Sequence, residues 1–129
     1  MPSPLTIMVV DDDTDGRFLL EHGLRKAIRD CAVVACTSAD EALCLLKGTR
    51  IDALITDHRL GLGSGAEFIS QARRRGVMCP ILMVTRSDDP RVQSEAYAAG
   101  ATEVFMGGRG DFADVLQRLL TRAAPENAA

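Results

Sequence analysis

Lysine is nearly absent from this chain of 129 residues: Lys26 and Lys47 are the only two, and none follows position 47. Any role that needs a lysine in the C-terminal half therefore has no candidate. No apolar run approaches the length that spans a membrane. Met1-Pro2-Ser3-Pro4 lacks the basic region of a signal peptide, and the apolar run behind it is too short for one. The expectation is a soluble, cytoplasmic protein with no membrane partner. Four cysteines are present, without a C-x-x-C pair or a Cys/His cluster at zinc spacing. Cys31, Cys36, Cys44 and Cys79 read as reduced, buried thiols acting as small apolar groups. The net charge of −3 is mild, and nucleic-acid binding would need a clustered basic face. Arg73-Arg74-Arg75 is the one basic run and reads as the solvated end of a helix. No repeat, low-complexity stretch or linker interrupts the chain. One domain over 1–129 is expected, with its core over about 5–120 and a frayed tail over 123–129.

What is present is a series of short apolar runs, each followed by a helical pattern. Strands are predicted over 5–10, 32–36, 51–56, 80–84 and 103–106. The helix after the first begins at Asp13 or Thr14 and runs to about Arg29, with Leu20, Leu24, Ala27 and Ile28 on one face. Ser38 and Glu41 form a capping box for the second, whose apolar side is Ala42, Leu43, Leu45 and Leu46, with Gly48 ending it. The third starts at Ser64 or Gly65 and turns Phe68, Ile69 and Ala72 inward, closed by Gly76. Asp89-Pro90 is a strong start for the fourth, which ends at Gly100. Asp111 caps the fifth, striped by Phe112, Val115, Leu116, Leu119 and Leu120. Strands that are apolar throughout are covered on both faces, so the fold class is α/β with a parallel five-stranded sheet between helices.

Such a sheet collects all its strand ends on one edge, where open α/β folds bind ligands. Asp11, Asp12 and Asp13 follow the first strand, Asp57 ends the third, Thr85 ends the fourth, and Gly107-Gly108 follows the fifth. Converging carboxylates without basic partners repel one another, and a hard divalent cation such as Mg²⁺ relieves this. A carboxylate is also a nucleophile, and the aspartyl phosphate is a known class of intermediate. Phosphoryl transfer asks for positioning and charge neutralisation. Thr85 offers a hydroxyl to a phosphoryl oxygen. Composition does not say which acid is acceptor and which holds metal.

Val9-Val10-Asp11-Asp12-Asp13, the lone Asp57 after Leu54-Ile55-Thr56, Gly65, Met83-Val84-Thr85 and Ala99-Gly100-Ala101 together resemble the receiver domain of two-component response regulators. The resemblance runs from about Leu5 to Leu120. It implies a flavodoxin-like sheet of order 2-1-3-4-5. It further implies Asp57 as phospho-acceptor, charged by a histidine kinase or histidine phosphotransfer protein. Asp11 and Asp12 would hold Mg²⁺ with Asp57 and the main-chain carbonyl of Arg59, and Thr85 would be the switch hydroxyl. By the same resemblance this is a signalling module and not an enzyme beyond its own phosphorylation and dephosphorylation. It would act as a bacterial, stand-alone, monomeric or weakly dimeric receiver, contacting a downstream protein through the fourth helix, fifth strand and fifth helix.

One departure from that pattern lies after Asp57, where the usual Met-Pro pair reads Leu60-Gly61; the others lie at the far end of the edge. Gly107 and Gly108 stand where the family places lysine and proline, and Val104 stands at the usual switch aromatic, with Phe105 beside it. Arg86 follows the threonine where the family prefers a small residue. Arg86 and Arg109 are the candidate compensating cations. Loss of phosphorylation, leaving a pure interaction module, is the alternative. Asp11-x-Asp13-Thr14, with Thr85 and Gly110-Asp111 plus Asp114, also resembles haloacid-dehalogenase-type phosphatases. That rival needs a late lysine and leaves Asp57 idle. His58 reads as a solvent-facing loop residue, Asp13 as a helix cap, and Met83 and Met106 as core.

Overall fold

The computed structural model describes residues 4–107 and 110–128, and of 123–128 the backbone alone. Five strands form one parallel sheet: β1 Leu5–Val10, β2 Cys31–Cys36, β3 Ala53–Asp57, β4 Ile81–Thr85 and β5 Glu103–Met106. Their spatial order is β2-β1-β3-β4-β5, which is the expected 2-1-3-4-5. Five helices connect and follow them: α1 Thr14–Ala27, α2 Ala39–Leu46, α3 Gly65–Arg74, α4 Pro90–Ala99 and α5 Phe112–Ala128.

Alternation along each strand sends neighbouring side chains to opposite faces. Ile7, Val9, Ile55 and Leu82 pack on one face with Leu24 of α1 and Val115, Leu116 and Leu119 of α5. Met8, Val10, Leu54 and Met83 pack on the other with Ala42 and Leu43 of α2, Phe68, Ile69 and Ala72 of α3, and Ala96 of α4. A strand buried on both sides has no polar face to show, which is why these runs are apolar throughout.

The caps are where the sequence puts them. The side chains of Asp13, Ser38, Ser64 and Asp89 accept from the amides of Gly16, Glu41, Glu67 and Arg91. Gly100 closes α4 at φ 117°, a left-handed conformation that suits glycine.

Several details differ from expectation. α1 stops at Ala27, because β-branched Ile28 is already extended. Glu41 reaches the amide of Thr37, one residue before the cap, at 2.7 Å. Leu45 is exposed, since Ala42, Leu43 and Leu46 already fill the inward stripe of α2. Gly48 ends α2 without a positive φ. Cys44 is exposed, while Cys36 is buried. Helical backbone continues through 123–128, where good helix formers such as Ala123 and Ala124 extend α5 beyond the expected stop.

Arg73 is not a solvated helix end. Its guanidinium donates to the carbonyls of Gly100 (3.0 Å), Val77 (2.8 Å) and Cys79 (2.8 Å). It thereby ties the C-cap of α4 at Gly100 to the segment that links α3 to β4.

Candidate functional site

The chain after β3 does not wander. Arg59–Leu60 pairs antiparallel with Gly63–Ser64, so the glycine-rich stretch is a tight hairpin. Gly61 takes φ 59°, the sign that two-residue hairpin turns need. The amide of Gly61 donates to Asp12 Oδ2 at 2.8 Å, tying the hairpin to the β1 end. The hairpin leads directly into α3, and the amide of Gly65 donates to the carbonyl of His58 at 2.8 Å. A Cβ at Gly65 would stand 2.2 Å from the carbonyl oxygen of Asp57. The backbone of Asp57 therefore passes against the start of α3 at a distance only glycine permits.

Asp11, Asp12 and Asp57 converge, each offering a carboxylate oxygen within 4.8 Å of the others. Asp11 is 4% exposed, Asp57 half-buried and Asp12 exposed. Asp11 Oδ1 accepts from the amide of Asp13 at 2.9 Å. A Cβ on Gly16 would lie 2.6 Å from Asp11 Oδ2, so this glycine leaves room for the carboxylate. Burial pushes the Asp11 carboxyl up to about 6; the Asp13 amide opposes this, and repulsion from Asp57, Asp12 and Asp13 adds to it. Burial likewise raises Asp57, opposed by the His58 amide and reinforced by the charge of Asp12. Among the described residues no ion pair reaches these three acids. Asp13 is outside the cluster and caps α1 through Oδ2.

A cleft of about 750 Å³ opens over Asp11 and Asp57, lined also by Asp13, His58, Arg59, Thr85, Arg86 and Phe112. Thr85 is 2% exposed. Its Oγ1 lies 3.1 Å from His58 Nδ1 and accepts from the Ser87 amide at 3.0 Å. His58 is half-buried, against the expectation of a solvent-facing loop residue. The signal was in the register: Asp57 pairs with Val84, so the next parallel pair sets His58 beside Thr85 on one face.

The side chain of Arg59 is exposed at the start of the hairpin. Arg86 is exposed, and its Cγ passes 3.5 Å from where a Gly107 Cβ would stand. Gly107 donates its amide to the Thr85 carbonyl at 2.7 Å. Val104 is half-buried against the core cluster of α2, α3 and α4. Phe105 faces the other cluster and tilts against Phe112, with centroids 5.4 Å apart, so it does not occupy the place of Val104. Gly108 and Arg109 lie outside the described residues, as do any contacts they make.

The donor set is all hard oxygen, buried on one side and open to the cleft on the other. Uncompensated repulsion makes it fit a divalent cation of the Mg²⁺ kind. The same edge has a carboxylate and a hydroxyl facing a cleft, which suits transfer of a phosphoryl group.

A family model described as "Response regulator receiver domain" matches residues 7–106. Among curated relatives, the DNA-binding transcriptional regulator NtrC of Salmonella typhimurium is 30% identical over 95 residues, 74% of this chain and 20% of NtrC. Response regulator MprA of Mycolicibacterium vanbaalenii is 30% identical over 129 residues, 98% of this chain and 54% of MprA. The chain spans about a fifth of the length of NtrC and about half that of MprA. Among solved structures, chemotaxis response regulator CheY4 of Vibrio cholerae superposes with a TM-score of 0.75 at 27% identity, covering 94% of this chain and 99% of CheY4. A signal receiver domain from Pseudomonas fluorescens, 17% identical, reaches a TM-score of 0.86 over 99% of this chain and 95% of that one, a likeness of fold.

Proposed function

The chain belongs to the response regulator receiver family, and from that premise we propose that Asp57 accepts a phosphoryl group from a histidine kinase or histidine phosphotransfer protein. The observation that carries this reading is the meeting of Asp57, Asp11 and Asp12 within 4.8 Å, with Asp11 and Asp57 lining the cleft. A carboxylate oxygen of Asp57 attacks phosphorus; the new O–P bond forms as the P–N bond of the donor phosphohistidine breaks. The half-burial of Asp57 limits water at the acyl phosphate. Asp11 and Asp12, with Asp57 and the Arg59 carbonyl, would hold Mg²⁺. When bound, the cation supplies the positive charge that three carboxylates and a phosphoryl group require. Thr85 donates to a phosphoryl oxygen. Arg86, whose stem lies over Gly107, supplies the cation that the family's lysine would.

Signalling then passes to a downstream protein through α4, β5 and α5. A hollow of about 270 Å³ opens there, lined by Gln93, Val104, Met106, Asp114 and Arg118. The described residues include no helix long and apolar enough to cross a membrane. Nothing in the family match supports the phosphatase reading, and Asp13, which it needs at the active centre, is committed to the α1 cap.

One observation favours a phosphorylation-independent module instead: Gly107 stands in place of the lysine, and no described cation is ion-paired with the acids. Incubation with acetyl phosphate and Mg²⁺, read by intact mass, separates the two. We expect gain of one phosphoryl group by the native chain and none by Asp57→Asn. No gain by the native chain, under conditions that label an ordinary receiver, overturns acceptance and leaves the module.

A further inference from the structure

We propose that His58 is a positioning residue that holds the Thr85 hydroxyl, and through it the start of α4, in the resting arrangement. This rests on the reading of Asp57 as acceptor and adds to it a residue that restrains the response. Thr85 Oγ1 has one proton and two lone pairs. The Ser87 amide occupies one lone pair at 3.0 Å. His58 Nδ1, 3.1 Å away, either takes the proton or fills the other lone pair, according to its tautomer. In both cases the oxygen is tied between His58 and Ser87.

The tie is built into the sheet. The His58 amide donates to the Val84 carbonyl at 3.0 Å, continuing the β3–β4 ladder and placing the ring beside Thr85. Thr85 is 2% exposed, so water does not compete freely for its hydroxyl. The chain of contacts goes on. Ser87 Oγ accepts from the Asp89 amide at 3.2 Å, and the Asp89 carboxylate accepts from the Arg91 amide at 3.0 Å, capping α4. Any travel of Oγ1 toward a group on Asp57 breaks the bond to His58 and pulls on Ser87, then on the α4 cap. Val104 offers no ring to sense that movement, whereas this polar relay reaches the same helix.

The test uses the full chain with His58→Phe, which keeps ring bulk without nitrogen, and His58→Asn, whose side-chain amide restores a polar atom near Nδ1. Thr85→Val is the reference. Backbone amide resonances of Ser87 and Asp89 are recorded without any phosphodonor. His58→Phe is expected to shift both in the direction seen with Thr85→Val, and His58→Asn to return them toward the native positions. Unmoved resonances in His58→Phe overturn the proposal. Beryllofluoride with Mg²⁺ is then titrated as a mimic of the acyl phosphate. Loss of one hydrogen bond to the resting state tightens its binding about threefold to tenfold in His58→Phe. The change vanishes when Thr85→Val is already present. Equal or weaker binding in His58→Phe overturns the restraining role. If no form binds beryllofluoride, the acceptor reading fails, while the resonances still decide whether His58 holds Thr85.

Discussion

Two glycines stand near the strand ends that carry Asp57 and Thr85, and their surroundings treat them in opposite ways. At Gly65 an added Cβ would meet the Asp57 carbonyl at 2.2 Å and Met83 Cε at 3.0 Å. At Gly107 the nearest atom is Arg86 Cγ at 3.5 Å, and φ is not in the left-handed region. The first glycine is required by packing; the second sits in ordinary space that accepts a side chain. The same contrast runs through the whole edge. On the β1–β3 side, acids, hairpin and helix start are locked by close approaches and by the Asp12–Gly61 bond. On the β4–β5 side, the threonine is held, but the lysine and the aromatic of the family pattern are replaced. On the proposed function, binding of the phosphoryl group would fall to the first side and reading of it to the second.

The locked side is electrostatically strained when metal-free, and pH exposes this most strongly. The Asp11 carboxyl is raised from 3.8 to about 6 on folding. The folded chain therefore binds that proton more tightly than the unfolded one. The resulting stability is full below pH 3.8 and is lost as pH rises through about 6. In chelator, urea unfolding should show about 2.4 kcal/mol less Asp11-linked stability at pH 7 than at pH 4. Asp11→Asn should remove most of that slope. An equal slope in the variant would assign the strain elsewhere.

Packing is tested next. Gly65→Ala forces backbone or Met83 to move, and overpacking of this kind costs about 2 kcal/mol. The unfolding midpoint should fall at unchanged slope, and an unshifted midpoint would show that the approach is slack. The permissive side should answer the other way. Gly107→Lys is expected to fold normally and to raise the rate of acetyl phosphate labelling about tenfold, or 1.4 kcal/mol. Arg86→Ala should cancel less of that rate in the lysine variant than in the native chain. An unchanged rate in Gly107→Lys would mean that charge at this position does not limit transfer.

Much of this was readable in advance. The alternation of strands and helices, four of the helix caps and the inward stripes of α3 and α5 follow from local patterns: periodicity, capping residues and apolar runs; the sheet order followed from the family resemblance. Asp57, Asp11 and Thr85 were legible because parallel strands bring their C-terminal ends together whatever lies between them. The hairpin at Gly61 was not read from the sequence, and its partner Asp12 lies 49 residues away. Arg73 was misread because a basic run looks solvated until the carbonyls it serves, from Val77 to Gly100, are folded around it. His58 was misread for a related reason: its place beside Thr85 depends on register between β3 and β4, not on neighbours in the chain.

The sequence by itself determined the alternation of strands and helices, the acids at the strand ends and the missing lysine, because these are properties of residue type and spacing. Only the tertiary structure decided which glycine is compulsory, how strongly Asp11 resists its charge, and where the Thr85 hydroxyl is held. Those depend on distances of a few ångströms between segments far apart in the chain, and it is there that steric exclusion, desolvation and hydrogen bonding act.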